Sequence, residues 1–67
     1  MIHSIRGLGS KAEKIQIEEL TNHNIIISCS DIHDGHYMEQ TVELDLDMLH
    51  SFIGTLLHVQ AKLKKFQ

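Results

Sequence analysis

Proline and tryptophan are absent from this 67-residue chain, and aromatics of any kind are scarce: one tyrosine and two phenylalanines. Without proline, breaks between elements must come from Gly, Asn and Asp. Cysteine is limited to Cys29, which excludes an intrachain disulfide and suits a reducing compartment. The longest aliphatic run, Ile25, Ile26 and Ile27, is far too short to cross a bilayer. The amino end also lacks the basic, apolar, small-residue order of a secretion signal. Together these absences predict a soluble, cytoplasmic protein with no membrane association. A single core in so short a chain rarely supplies more than about 3–5 kcal/mol of net stability. With no disulfide to help, a partner chain is the expected support.

Nine acidic and six basic residues leave a formal charge of −3. All nine acids fall between Glu13 and Asp47, a stretch holding one base, Lys14. The remaining bases sit at the two ends, Arg6 and Lys11 before it and Lys62, Lys64 and Lys65 after it. A nucleic-acid binder normally carries a basic field on one face. Here the terminal lysines complement the negative end of a helix dipole instead, so nucleic acid is not the expected partner.

Hydrophobic spacing changes period near the middle of the chain. Val42, Leu44 and Leu46 alternate with Glu43, Asp45 and Asp47, the pattern of a strand with one wet face. From Leu49 the spacing becomes helical, through Phe52, Leu56, Val59, Leu63 and Phe66, and Asp47 is the predicted N-cap. Upstream, Ile15 and Ile17 alternate over a strand predicted at 14–20, a preference over the helix start that Ser10 and Glu13 would allow as a capping box. Residues 25–30 are β-branched and apolar, a second strand. The Asp34-Gly35 pair marks a tight hairpin, and a third strand runs from Tyr37 to Leu46. The expected fold is α+β: a three-stranded antiparallel meander followed by one long amphipathic helix packed on one face. Residues 1–13 are expected to form a flexible arm and 14–67 a single β-β-β-α domain.

That helix should cover the face carrying Ile15, Ile17, Ile25, Ile27, Cys29, Val42, Leu44 and Leu46. Its own apolar arc is wide, spanning about half the circumference against the roughly 100° of a one-sided helix. Gly54 lies just beyond the arc, and a mid-helix glycine often marks close approach of another backbone. Self-association follows, as a homodimer through Phe52, Ile53, Leu56, Leu57, Val59 and Leu63.

The run Ser30-Asp31-Ile32-His33 after an aliphatic strand resembles the first metal-binding motif of the calcineurin-like metallophosphoesterases. That resemblance implies an aspartate and a histidine, Asp31 and His33, on one of two catalytic metals. It covers only about a dozen residues, and the family's further Asp, Asn and His blocks are missing from this chain. A smaller metal site of Asp31, His33, Asp34 and His36 is the alternative, since imidazole and carboxylate suit zinc or manganese. Four residues of one tight hairpin converge poorly, and Asp and Gly are there to make the turn. No metal and no cofactor are therefore expected. The other histidines do not gather either: His50 and His58 lie eight apart on the helix, where neighbours on one face are three or four apart. Protonating all six would reverse the formal charge from −3 to +3, so association is expected to respond to mild acid.

No catalytic residues are assigned. Cys29 alternates with Ser28 and Ser30 and is expected to be a buried small hydrophobe. Neither serine has the Gly-x-Ser-x-Gly surroundings of a nucleophile elbow. Gly7 and Gly9 lack the strand-before, helix-after setting of a phosphate loop.

One functional surface remains, the wet sheet face. Glu39, Thr41, Glu43 and Asp45, with Gln16 and Glu18, form an acidic patch able to dock a basic protein surface. Glu39, Glu43 and Asp45 are its expected partner-binding residues. Short strands ending in Val-x-Leu-x-Leu and a helix with a Leu-Leu centre, over residues 25–66, resemble small phage- and prophage-encoded accessory proteins. That resemblance implies a non-enzymatic protein that binds a host or phage component. The sequence therefore points to a small homodimeric interaction module, an accessory or regulatory factor rather than an enzyme.

Overall fold

A computed structural model describes residues 1–66 as four strands and one helix: β1 (Ile2–Arg6), β2 (Lys14–Glu19), β3 (Ile25–His33), β4 (His36–Leu44) and α1 (Leu46–Lys64). The strands form one antiparallel sheet in the order β1-β2-β3-β4. The α+β class and the terminal helix agree with the sequence reading, but the strand count does not. Residues 2–6, read as part of an arm, pair with β2 through Ile5 opposite Ile15 and Ile2 opposite Glu18. Only Ile2 and Ile5 are apolar there, spaced by three, so no alternation betrayed the strand. Pairing with an already formed neighbour, rather than local preference, makes it.

Each connection uses local polar chemistry. Between β1 and β2, Ser10 makes a turn instead of a helix start: its carbonyl accepts from the Glu13 amide at 3.1 Å and its hydroxyl from the Ala12 amide at 3.3 Å. The Asn22 side chain accepts from the Asn24 amide at 3.0 Å, and His23 takes a positive φ of 69°. At the β3–β4 hairpin Asp34 and Gly35 have φ of 50° and 77°. Two successive positive φ values make the tight primed turn that matches strand twist, as the Asp-Gly pair predicted.

The helix begins earlier than its apolar stripe suggested. Asp45, not Asp47, is the N-cap: its carboxylate accepts from the Met48 amide at 2.9 Å, and its carbonyl from the Leu49 amide at 2.9 Å. Leu46 thus belongs to the first helical turn, and Asp47 lies beside it, where a negative charge suits the dipole. The two aspartates are equally good caps, and the strand-like alternation through Leu46 masked the earlier one. Lys62 and Lys64 occupy the last turn, and Phe66 lies beyond the helix.

The larger correction concerns packing. The helix does not lie on the sheet; it approaches only β4, the strand that it continues. Among the described residues no apolar side chain is buried, and Ser30, 5 % exposed, is the one buried residue. The reason lies in the junction. Asp45 alone separates Leu44 of β4 from Leu46 of α1, and it is extended at φ −83° and ψ −179°. Connections that return a helix onto its own sheet use about 2–6 residues. The outcome is a thin, spread molecule of 39 × 35 × 16 Å. Its radius of gyration is 14.0 Å, against about 11 Å for a compact chain of this length.

Candidate interaction surfaces

The strand register sorts the sheet into two chemically different faces. One face carries Ile5, Ile15 and Cys29 across one row, Ile17, Ile27 and Val42 across the next, and Ile25 beside Leu44 at the end. These are the residues expected to line the core, without Leu46, which the helix takes, and joined by Ile5 of the unforeseen β1. The face is left open: Val42 is 55 % exposed, and Cys29, expected to be buried, is exposed too. Near the hairpin end a shallow cavity of about 490 Å³ is lined by Ile5, Ile15, Cys29 and Met38, with Gly7 and Glu13 at its edge. A Cβ on Gly7 would meet the Glu13 side chain, which would have to swing aside to admit it.

The opposite face is polar. Glu18 and Glu43 flank Ile26 in one row, Gln16, Ser28 and Thr41 form the next, and Arg6, Lys14, Ser30 and Glu39 the third. Glu39 and Glu43 therefore do share this face, as expected. Asp45 does not join them, because it lies past the strand with its carboxylate engaged at the helix start. Sequence reasoning also missed that β1 brings Arg6 beside Lys14, which makes one end of the acidic face basic. The carboxylates here are already held: Glu43 accepts from the Asn24 amide nitrogen at 2.8 Å, and Glu39 from the Tyr37 hydroxyl. The Glu39 contact pushes the Tyr37 phenol above its ordinary pKa. With Tyr37 turned to Glu39, the buried Ser30 hydroxyl beside it has no well-formed bond of its own.

Two other carboxylates are stabilised in their charged form. The Ser10 hydroxyl, then the Ile32 amide at 2.7 Å, hold Asp31 below the usual aspartate range. The His3 ring at 2.9 Å, then the amino-terminal charge, do the same for Glu19. Asp31 thereby ties the 7–13 loop to β3 rather than facing a metal. Of the alternative metal set, His33 and Asp34 approach to 3.6 Å. Among the described residues no three His, Cys, Asp or Glu side chains come together as a metal site.

The helix surface completes the inventory. Leu46, Phe52, Ile53, Leu56, Leu57, Val59 and Leu63 are all 42–73 % exposed. Nothing lies within 4 Å of a Cβ built on Gly54, so the close approach inferred from that glycine does not occur within the chain. Among the described residues no helix is long and apolar enough to cross a membrane.

No protein-family model matches this chain, and no curated protein or solved structure matches it either.

Proposed function

We propose that this chain is a small non-enzymatic interaction module that works as a homodimer and binds a basic protein surface through its polar sheet face. One observation carries the first half: a regular sheet and a regular helix are both present, yet none of their apolar side chains is fully buried among the described residues. Ile17, Ile25, Ile27 and Leu44 are half-buried, and most of the helix stripe is exposed. The chain exposes 5912 Å², whereas a compact protein of its mass exposes about 4,300 Å² by the usual surface–mass scaling. Each copy thus has roughly 1,600 Å² to hide, which for two copies falls in the 2,000–5,000 Å² range of obligate homodimers.

Charge complementarity supports the second half. Glu18, Glu39 and Glu43 share the sheet face that has no apolar stripe to bury, and the opposite face and the helix are occupied by association. An accessory or regulatory role of the kind phages and prophages encode fits a module that binds rather than reacts.

Sedimentation at micromolar protein tests self-association and should return about twice the monomer mass. For the partner, Glu39→Lys with Glu43→Lys should abolish capture of a protein that wild type retains at low salt and releases as screening shortens to about 8 Å. Capture that survives the double variant while the dimer stays intact would remove the acidic face from the proposal.

A further inference from the structure

We infer that the dimer forms by reciprocal helix exchange: α1 of each copy lies across the apolar sheet face of the other. This deepens the homodimer reading and rests on it. The occupant of that face is a second copy because the chain already makes the element that fits it and cannot use that element at home. An alternating sheet face and a helical stripe on one chain are the two halves of an ordinary α+β core. The single residue Asp45 at the junction, fully extended, keeps the halves apart within a copy.

Length and direction agree with this seating. The 19-residue helix is about 28 Å long. The nine-residue strands β3 and β4 are about 30 Å long, so one helix spans the face. A two-fold partner sends its helix in from the Leu44 end, because that is where each helix leaves its sheet. The helix then runs toward the β3–β4 hairpin and delivers Lys62, Lys64 and Lys65 there. Glu13 and Asp31 lie at that end, but so do Arg6 and Lys14, which line the same cavity, so charge does not select this seating. The cavity of about 490 Å³ between Ile5, Ile15 and Cys29 lies at the same end and receives apolar side chains from the last turns of the helix. The interface is isologous, as a two-fold dimer requires.

Cys29 supplies the test, being the one thiol of the chain and sitting on the covered face. Exchange predicts that Cys29 reacts with a maleimide or aromatic disulfide reagent quickly in dilute protein and at least tenfold more slowly in the dimer. Leu63→Cys or Val59→Cys, conservative in size and placed on the helix stripe, should then form an interchain disulfide to Cys29 under mild oxidation, mapped by peptide mass. A dimer by sedimentation whose Cys29 still reacts at the dilute rate, cross-linking only helix to helix, overturns exchange and leaves the homodimer standing. A chain that remains monomeric across micromolar concentrations overturns both. A third variant guards against loss of folding. Inserting a four-residue Gly-Ser linker after Leu44, which leaves Asp45 capping the helix, lets the helix turn back onto its own sheet, so a folded monomer with a protected Cys29 is expected. A linker variant that remains a dimer of unchanged affinity counts against exchange.

Discussion

The sheet and the helix meet their structural needs in opposite ways. In the sheet, β3 hydrogen-bonds to both β2 and β4, and residues as far apart as Ile25 and Leu44 are held opposite one another. The helix bonds only to itself, from the Asp45 cap to the Lys65 amide that closes on Leu63 and Lys62. Most helical stability in proteins comes from packing an amphipathic face, and α1 shows its apolar stripe to solvent. The sheet is defined by long-range pairing; the helix is conditional on something that covers it. The same condition holds for the apolar sheet face, so the comparison is sharpest between what backbone bonds secure and what side chains leave undone.

The largest effect should come from the helix stripe. Leu56→Glu or Phe52→Glu places a charge where burial is required, a change costing several kcal/mol when the site is desolvated. Sedimentation should show monomer, and circular dichroism should show loss of the cooperative melt. A dimer unchanged by both substitutions would break the comparison, since the helix would then need no cover.

The two sheet faces are next. Val42→Lys and Thr41→Lys are adjacent in β4 but point to opposite sides. The first should dissociate the protein. The second should change stability by no more than about 0.5 kcal/mol, the usual range for an exposed polar position. Equal effects in chemical denaturation would mean that neither face is special.

Smaller effects isolate the helix itself. Asp45→Ala removes the carboxylate that accepts from Met48 and should cost about 1 kcal/mol. Gly54→Ala should stabilise by up to about 1 kcal/mol, because nothing within the chain crowds that position. It lies off the apolar stripe as well. Destabilisation on adding that methyl group would reveal a neighbouring backbone from the partner copy.

The smallest expected effect is acidic. Asp31 and Glu19 are held below their ordinary pKa values, so their stabilising contacts are fully present above those ordinary values and are lost as pH falls through the depressed ones. Melting temperature should therefore decline below about pH 4, and Asp31→Asn should flatten part of that decline.

Much of this was legible in the residues. Alternation over 14–20 and 37–46 and the β-branched run 25–30 located three strands, the last carried two residues too far, and the Asp34-Gly35 pair identified their tightest turn. The acidic face was also readable, because period-two alternation assigns faces without knowledge of packing. Strand β1 was not, since two isoleucines three apart carry no period and pair only once β2 exists. The N-cap was missed because Asp45 and Asp47 have the same chemistry two residues apart. The uncovered core was the harder failure, yet a signal existed. Between Val42 and Leu49 there is no Gly, Asn or Pro, and Asp45 and Asp47 stand singly between leucines, so no run of turn residues is present to reverse the chain. Periodicity reports which residues want burial; connection length decides whose surface buries them.

The proposed dimer completes its interior only across a two-fold axis, and its lifetime would then depend on its concentration. Below its dissociation constant each copy presents an open isoleucine-rich face and an unshielded helix, both accessible to proteases and chaperones. Above it the same sequence becomes resistant. The dimer, as distinct from total protein, then rises with the square of synthesis rate while monomer degradation dominates. The proposed dimer would thus turn the one-residue junction between Leu44 and Leu46 into a dosage threshold, with little protected protein at low expression and much at high.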